Sequence, residues 1–563
     1  MPEERAHAPE STGQLRVLLP DGKRLEIPAG KTLQELSLTF RSSFPCDIVA
    51  ARVDNDLKDL SHSPGPGSQV EFIDLYHQDG MRIYRRSLTF LLIAAARDLF
   101  PQGLVKVEHS LGKGLYCEIQ GAGPLTRAGV AALERRMREL VRENLPFIKE
   151  RMSVEEAREI FSGQGDTDKY ELLKYRPKVH LDVYSLGGLR DYLYGYLVPG
   201  TGYLKHFALK FYMPGLILRF PDEGRPTALP PYEEQPKLFE VFREAENWGA
   251  ILGVDTVGTL NSHIERGQGA DILRVAEALH EKKVARIADI ITREQERLKL
   301  VLIAGPSSSG KTSFAQRLRI QLLVNGIKTL PISMDDYFLD REKTPLDEKG
   351  DYDFEALEAV DVDLFNEHLL ALIREEEVEV PTYNFKLGRR ELGGRQLKLD
   401  KGRLLMLEGI HGLNERLTEA IPRGSKLKVY VSALTSLNMD RHNRIHTTDT
   451  RLLRRIVRDS QFRCHQAAET IKRWPSVRRG EEKNIFRFQE ESDVMFNSAL
   501  TYELAVLKNF AEPLLRDIPL DAPEYMEAKR LLHFLQYFLP FEPDEVPFNS
   551  ILREFIGKSC FFS

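Results

Sequence analysis

Residues 300–312 read LVLIAGPSSSGKT, an apolar run that passes directly into the pattern G-x-x-x-x-G-K-T. Glycine at both ends of this loop lets backbone N–H groups turn inward, which suits the close approach of an anionic group. After the loop, Phe314, Leu318 and Leu322 recur every four residues until Gly326, as expected of a helix. The stretch therefore predicts a strand, a phosphate-binding loop and a helix whose N-terminus faces the phosphates.

Each residue type in this loop has a part in binding a nucleoside triphosphate. Lys311 is placed to reach the β and γ phosphate oxygens, and the hydroxyl of Thr312 suits Mg²⁺. The predicted nucleotide-binding set is Gly305, Ser307, Ser308, Ser309, Gly310, Lys311 and Thr312. The sequence thus predicts a site for ATP with Mg²⁺, and GTP is the alternative donor.

Length and composition exclude several classes of protein. At 563 residues the chain is too long for one hydrophobic core and predicts three or four domains. The net charge of -5 argues against a surface that binds nucleic acid or membranes throughout. Four scattered cysteines without C-x-x-C spacing fit a reducing compartment, and no apolar run is long enough to span a membrane. The charged N-terminus has no signal-peptide core, so we expect a cytoplasmic protein.

Periodicity and turn residues divide the chain into segments, which indicate a multidomain protein of α/β and α+β parts. The predicted segments are a disordered tail (1–13), a β-grasp domain (14–76), a mixed α/β domain (77–225), a helical connector (226–297), a parallel-sheet α/β domain (298–515) and a C-terminal helical extension (516–563). In the β-grasp segment we predict strands at 15–19, 24–27, 48–53 and 70–73 and a helix from Thr32. In the next segment we predict a helix over 125–144 and strand-like structure over 204–220.

Four apolar, β-rich runs alternate with helical stretches in the last large segment. They lie at Leu300–Ala304, Thr329–Ser333, 404–407 and 427–431. This alternation is typical of a parallel sheet, in which ligands bind beyond the carboxyl ends of the strands. Those ends carry the phosphate-binding loop, the pair Asp335-Asp336 and Glu408, so we expect the three polar clusters to meet at one edge.

Two carboxylates at that edge are candidates for catalysis and metal binding. Asp335 could take the proton of an acceptor hydroxyl as it attacks the γ-phosphorus, although a helix N-cap would also place an acid there. Glu408 ends a buried strand, where an acid is costly without a cation or donors. Mg²⁺ or its bound water is one partner for Glu408, and backbone N–H groups are the alternative.

Four arginines follow one face of a predicted helix. Arg451, Arg454, Arg455 and Arg458 are spaced i, i+3, i+4 and i+7, with apolar residues on the other side. A mobile helix with this stripe could close over the phosphates, compensate charge in the transition state and exclude water. A charged stripe on a solvent-facing helix is the alternative interpretation.

Six ordered motifs lie between residues 298 and 515. They are GPSSSGKT (305–312), SMDDYF (333–338), DYDFE (351–355), PTYNF (381–385), LEGI (407–410) and DTRLLRRIVRD (449–459). Together they resemble the uridine kinase and phosphoribulokinase family of P-loop kinases. The resemblance implies that Asp335 is the catalytic base, that the arginine-rich stretch is a lid, and that the acceptor is bound by Asp353, Tyr383 and Arg390.

The chain departs from the family pattern at two places. Gly388 stands where uridine kinases place a base-reading histidine, and Arg463-Cys464 replaces the usual Arg-Gly of the lid. A nucleoside acceptor is therefore an expectation that rests on the resemblance.

The N-terminal half carries a second resemblance. Residues 14–75 look like the β-grasp TGS domain, and residues 80–220 look like the second N-terminal domain of threonyl-tRNA synthetase. Arg86, Phe90, Leu193 and Leu197 stand where the editing domain has its histidines and its Cys-x-x-x-His pair. Because leucine and phenylalanine side chains cannot ligate a metal or activate water, we expect the fold without the editing chemistry.

This half also contains residues that could bind RNA. Cationic and aromatic side chains suited to phosphates and bases are Lys106, His109, Lys113, Lys205, His206, Lys210, Tyr203, Phe207 and Phe211. Such residues are also common on ordinary surfaces and in cores. The basic stretch 473–480 is open to three interpretations: a loop on the acceptor side, a domain contact or an RNA contact.

The sequence as a whole predicts an ATP-dependent kinase that phosphorylates a hydroxyl of a nucleoside, with N-terminal domains that bind or regulate. The predicted catalytic residues are Asp335, Lys311, Arg451, Arg454 and Arg458, and the predicted metal ligands are Thr312 and Glu408. One alternative is an RNA-binding regulatory ATPase without a small acceptor. Another is a phosphoribulokinase-like enzyme whose acceptor is a phosphorylated pentose.

Overall fold

The computed structural model describes residues 14–348, 350–384 and 387–562. The predicted tail 1–13 and Phe385 lie outside the described residues. The chain forms two units. The first comprises residues up to 234 together with 438–444 and 519–526, and the second comprises the remaining residues from 235 onward.

The first sheet of the first unit has five strands around one helix. Its elements are β1 (Gln14–Leu18), β2 (Arg24–Pro28), α1 (Leu33–Phe40), β3 (Ala50–Val53), β4 (Asp56–Lys58) and β5 (Gln69–Ile73). The strand order is β2-β1-β5-β3-β4, and only the β1–β5 pair is parallel. Thr32 caps α1 in a reciprocal box with Glu35, which explains why the helix begins where the sequence predicts it. The predicted strands and helix of this segment are present in one mixed sheet, and β4 is a strand that the sequence did not reveal. The assignment to a TGS domain stays a prediction.

The rest of the first unit has two further sheets and four helices. Its elements are α2 (Gln78–Leu99), β6 (Leu104–Leu111), β7 (Gly114–Gln120), α3 (Arg127–Glu143), β8 (Ile148–Ser153), α4 (Val154–Gln164), α5 (Thr167–Leu173), β9 (His180–Leu186), β10 (Leu189–Asp191), β11 (Ala208–Tyr212) and β12 (Gly215–Arg219). The strand orders are β11-β12-β7-β6 and β10-β9-β8, all antiparallel. The predicted helix over 125–144 is α3, and the strand-like stretch 204–220 is the β11–β12 hairpin.

A buried cluster of charges fixes residues 438–444 within the first unit. The Lys169 ammonium lies 2.7 Å from Asp440 and 3.1 Å from Asp191, and His442 Nδ1 lies 2.8 Å from Asp191. Burial would lower the pKa of His442, but the neighbouring Asp191 carboxylate raises it above the ordinary value. Because a buried charge is costly unless it is paired, this cluster holds the segment firmly in one place.

The second unit is built on a parallel sheet. Its elements are α6 (Pro236–Leu252), α7 (Val257–Glu265), α8 (Gly269–Arg293), β13 (Leu300–Ala304), α9 (Lys311–Val324), β14 (Thr329–Ser333), α10 (Val362–Ile373), β15 (Glu377–Asn384), β16 (Arg389–Lys398), β17 (Leu404–Glu408), β18 (Lys426–Ser432), α11 (Thr447–Phe462), α12 (Ala467–Asn484), β19 (Val494–Asn497), α13 (Glu503–Arg516), α14 (Tyr525–Leu535, whose first two residues belong to the first unit) and α15 (Arg553–Ile556). The strand order is β14-β17-β13-β18-β19, all parallel, and β15 and β16 form a separate antiparallel hairpin.

The predicted parallel sheet is confirmed, with one additional strand. The four predicted strands are β13, β14, β17 and β18, and β19 extends the sheet beyond β18. The basic stretch 473–480 lies inside α12, so it is not a loop. Helices α6 to α8, predicted as a connector, belong to the same unit as the sheet. The finer domain boundaries stay predictions. Across the described ranges, we find no helix with the length and apolar character needed to cross a bilayer.

Candidate functional site

The loop between β13 and α9 has a backbone that only glycine permits at its two ends. A Cβ atom on Gly305 would lie 1.9 Å from the carbonyl oxygen of Val431, and Gly310 has a φ of +83°. Ser308 also has a positive φ, of 57°. Among the described residues, the buried hydroxyls of Ser308 and Ser309 have no hydrogen-bond partner. A tight loop with free donors at a helix N-terminus fits the phosphates of a nucleotide.

Helix α11 braces this loop from behind. Arg451 Nε donates to the carbonyl oxygen of Ser307 at 3.0 Å, and a terminal nitrogen of Arg454 donates to that of Ser308 at 3.5 Å. Arg455 donates to the hydroxyl of Ser307 at 2.9 Å. The guanidinium groups therefore hold the backbone of the loop in its shape.

The arginine stripe is not solvent-facing in this conformation. Arg451 is 1% exposed and Arg454 is fully buried, whereas Arg455 and Arg458 are partly exposed and contact Asp459. Two carboxylates on other helices neutralise the inner arginines, which makes their burial tolerable. The role of the stripe as a lid stays a prediction.

Those two carboxylates, Glu481 and Glu503, were not identified from the sequence. Glu481 in α12 accepts from the backbone N–H of Ser307 at 3.0 Å, from Arg478 at 3.2 Å and from the Arg451 guanidinium. Glu503 at the start of α13 accepts from Arg454 Nε at 2.8 Å. Glu481 thus links the phosphate-binding loop to α11 through a single carboxylate.

The register of the sheet brings the predicted acids to one edge. Ser333 at the end of β14 is paired with Glu408 at the end of β17, and Glu408 is paired with Ile303 beside the loop. Asp335 follows Ser333 by two residues. The expected convergence of the loop, Asp335 and Glu408 is therefore confirmed by the strand pairing.

Three carboxylates lie within the electrostatic influence of Lys311. Burial raises the pKa of Glu408 to about 7, and Lys311 opposes the rise while Asp335 adds to it. Burial also raises the pKa of Asp335, against the effects of Lys311, Arg463 and Arg458. For Glu355, burial and the Glu481 carboxylate raise the pKa to about 7, again against Lys311. Acids that resist ionisation beside an ammonium are suited to exchanging protons or taking up a cation.

The residues present fit a magnesium ion. Thr312 Oγ1 lies 3.4 Å from Glu408 Oε1, so a hydroxyl and a carboxylate lie side by side next to the loop. Within the described ranges, no cluster of three or more His, Cys, Asp and Glu side chains could hold a metal by itself. That is consistent with Mg²⁺, which binds through one or two protein oxygens together with phosphates and water.

Glu355 lies near the same site and was not predicted from the sequence. Its Oε2 is buried and, within the part of the chain that the structure describes, has no hydrogen-bond partner. Asp353, the acid of the same motif that is predicted to bind the acceptor, accepts from the backbone N–H of Glu355 at 3.1 Å and so shapes the turn. The motif DYDFE (351–355) contains both Asp353 and Glu355, so the sequence could have indicated Glu355 as well.

The other two predicted acceptor residues make structural contacts. Arg390 donates to Asp361 at 2.8 Å, and Asp361 is the N-cap of α10. Tyr383 is 8% exposed, and its ring packs edge-on against Phe338 at 5.7 Å. Neither contact tests a role in acceptor binding, which stays a proposal for Asp353, Tyr383 and Arg390.

In the first unit, the four positions that correspond to the editing residues carry side chains with structural contacts. Arg86 donates to the carbonyl oxygen of Tyr196 at 2.8 Å, and Phe90 stacks on Phe147 at 5.7 Å. Leu193 and Leu197 are buried in the same hydrophobic core. These side chains hold the core together and offer no polar atom for hydrolysis, apart from an arginine that is already engaged.

The lysines proposed for RNA binding each have an acidic neighbour. Their ion pairs are Lys106–Glu108 (2.9 Å), Lys205–Asp47 (3.2 Å), Lys210–Glu234 (3.4 Å) and Lys113–Glu233 (3.9 Å). RNA phosphates would have to compete with these carboxylates, which reduces the attraction that the lysines offer.

Comparison with known proteins separates the two halves. Residues 300–505 match the family model described as Phosphoribulokinase / Uridine kinase family. Over the N-terminal half, the chain is similar to threonine–tRNA ligases. The protein of Pelobacter propionicus is 30% identical over 195 residues, and that of Alkalilimnicola ehrlichii is 31% identical over 195 residues. The matched part is about a third of this chain and spans 31% and 30% of those proteins' lengths.

Solved structures also match parts of the chain. "Structure of a Possible Uridine Kinase from Bacillus stearothermophilus" is 18% identical with a TM-score of 0.26, covering 37% of this chain and 96% of that one. A D-glycerate 3-kinase from Cryptococcus neoformans is 13% identical with a TM-score of 0.22, covering 47% of this chain and 89% of that one. The sequence matches carry the comparison: residues 300–505 match the model of the Phosphoribulokinase / Uridine kinase family, and the N-terminal half is similar to threonine–tRNA ligase.

Proposed function

We propose that the second unit is an ATP-dependent, Mg²⁺-requiring kinase that phosphorylates a hydroxyl group of a nucleoside. One observation carries the proposal: the phosphate-binding loop with Lys311, the acid Asp335 and the acid Glu408 share one edge of a parallel sheet. A motor or switch protein needs the phosphate-binding loop and a metal ligand. Phosphorylation of a hydroxyl also needs a base, and Asp335, whose pKa is raised by burial within the electrostatic influence of Lys311, can serve as that base.

The chemistry requires one proton transfer and one phosphoryl transfer. The acceptor O–H gives its proton to the Asp335 carboxylate while its oxygen forms a bond to the γ-phosphorus, and the bond from that phosphorus to the bridging oxygen breaks to release ADP. Lys311 holds the phosphate oxygens of the donor. Thr312 and Glu408 would hold Mg²⁺, which neutralises phosphate charge when it is bound.

The arginines divide into two groups in this proposal. Arg451 and Arg454 act by fixing the loop, since their guanidinium groups are buried against Glu481 and Glu503. Arg458 lies within the electrostatic influence of Asp335 and is only partly buried, so it can compensate charge on the transferred phosphoryl group.

The acceptor is the part of the proposal that rests most on resemblance. Asp353, Tyr383 and Arg390 are proposed to surround it, and the unpartnered oxygen of Glu355 offers an acceptor for a substrate hydroxyl. Gly388 stands in place of a base-reading histidine, so another base or a phosphorylated pentose is an alternative acceptor.

A panel of acceptors tests the proposal. With the full chain, ATP and Mg²⁺, we expect a free nucleoside to stimulate ADP release and to appear as its monophosphate. Stimulation by a pentose phosphate alone would replace the nucleoside with a sugar phosphate. Stimulation by RNA alone, without a phosphorylated small molecule, would favour the regulatory ATPase and contradict the kinase.

The pH dependence of nucleotide binding tests Glu408 as a metal ligand. Since burial raises the pKa of Glu408 to about 7, its carboxyl must lose a proton before it can bind Mg²⁺. Affinity for Mg²⁺-ATP should therefore rise about tenfold from about pH 6 to about pH 8 and then level off. Calorimetry on the wild type and on Glu408→Gln measures this.

ATP itself titrates in the same way with both proteins. The affinity of Glu408→Gln for Mg²⁺-ATP should therefore rise less steeply with pH than that of the wild type. Glu355→Gln is the matched control, because Glu355 titrates in the same range but is not placed beside Thr312. Equal slopes in the wild type and Glu408→Gln would remove Glu408 from the metal site.

For the first unit we propose a binding or regulatory role without hydrolysis. The replaced positions Arg86, Phe90, Leu193 and Leu197 support this, and the similarity to threonine–tRNA ligase makes RNA the first ligand to try. Deacylation of a mischarged tRNA by the full chain would contradict the loss of editing chemistry.

A further inference from the structure

The C-terminal segment 550–556 places a carboxylate on the helix that follows the phosphate-binding loop. The backbone N–H of Ser313 donates to Glu554 Oε2 at 3.0 Å. Ser313 is the third residue of α9, and the N–H groups of a helix's first turn have no partner within the helix. In a phosphate-binding loop these N–H groups are donors to the nucleotide, so Glu554 accepts a bond that a phosphate oxygen would take.

The segment is seated against the loop by several independent contacts. The Ile551 side chain lies so close to Gly310 that a Cβ atom there would be 2.4 Å from Ile551 Cγ2. The ring of Phe555 lies 4.9 Å from the Arg454 guanidinium, the same group that donates to the loop. Ile551, Leu552 and Phe555 are fully buried. Glu554 is therefore held at this position by the packing of its neighbours.

The charge of Glu554 opposes an incoming nucleotide. It is an anion at the positive end of a helix, where it is stabilised in the same way as a phosphate would be. It also acts on Glu408, whose ionisation it disfavours. Triphosphate and Glu554 would compete for one donor and repel each other across a short distance.

We propose that Glu554 is an internal competitor of the nucleotide, so that the segment 550–556 must release Ser313 before the phosphates bind fully. The proposal rests on the loop being the nucleotide site of the proposed kinase. It makes the C-terminal segment a built-in restraint on nucleotide affinity, and displacement of this segment is the change that would relieve it.

Nucleotide binding to variants of the full chain tests this, by calorimetry with Mg²⁺-ATP and no acceptor. Glu554→Gln and Glu554→Ala should each bind about threefold to tenfold more tightly than the wild type, the range expected when a charge at a helix N-terminus is removed. Glu545→Gln removes an exposed charge from the same region and should leave the affinity unchanged.

Equal or weaker binding by both Glu554 variants would overturn the proposal, and weaker binding would make Glu554 a supporting residue for the nucleotide. If neither the wild type nor any variant bound a nucleotide, the proposed function would fail as well. If the wild type and both variants bound equally, only the competition would fail.

Hydrogen exchange on the wild type gives a second readout that does not depend on a variant folding. Addition of Mg²⁺-ATP should increase exchange in the peptide that covers residues 550–562, because the segment loosens when Ser313 is released. Unchanged or slower exchange there would contradict the displacement.

Discussion

Replacing Asp335 by asparagine should lower turnover by about 100-fold to 10,000-fold, while affinity for Mg²⁺-ATP stays within about threefold. Asparagine has the same shape but cannot accept the proton of the acceptor hydroxyl. The position lies two residues beyond the end of β14 and is fixed by a hydrogen bond from its backbone N–H to Ser333 Oγ at 3.2 Å, which the substitution preserves. Steady-state turnover with a stimulating acceptor, together with nucleotide calorimetry, separates the two effects.

Asp336 provides the matched control. It is the next residue, its pKa is also raised by burial, and its carboxylate lies 3.5 Å from Arg395 on the β15–β16 hairpin. Asp336→Asn should therefore cost less than about tenfold in turnover. Unchanged turnover in Asp335→Asn would exclude it as the base. Equal losses in both variants would point to a damaged fold.

The strands of the second unit that are buried on both faces could be predicted from their continuous apolar runs. Leu300–Ala304 is buried at every residue, and its apolar run stands out from the surrounding sequence. β19 is four residues long and only half buried, so its sequence gives no such signal. The β15–β16 hairpin is rich in Glu and Arg, which masks its strand character because those residues are common on helices and surfaces.

The site was predictable where its residues follow strands and unpredictable where they come from distant helices. The positions of Asp335 and Glu408 could be predicted because the ends of parallel strands meet at one edge of a sheet. Glu481 lies 30 residues from its partner Arg451, and Glu554 lies 241 residues from Ser313. An acid on a helix usually faces solvent, and no local pattern distinguishes these two from the others.

Replacing Glu481 by leucine should destabilise the second unit by about 3–5 kcal/mol, the cost of leaving a buried charge without its partner. Arg451 is 1% exposed and pairs with this carboxylate, and the N–H of Ser307 would lose its acceptor as well. The measurement is denaturant unfolding followed by tryptophan fluorescence. Both tryptophans of the chain, Trp248 and Trp474, lie in the second unit, so the signal reports that unit alone.

Two variants show whether the effect comes from the buried charge. Glu482→Leu changes an adjacent side chain that is 54% exposed and should shift stability by no more than about 0.5 kcal/mol. The double variant Glu481→Leu/Arg451→Met should recover part of the loss, because replacing both members of a buried pair removes the unpaired charge. If the double variant were no more stable than Glu481→Leu, the loss would arise from the loop hydrogen bond of Ser307, and the carboxylate would matter for the shape of the loop more than for the arginine.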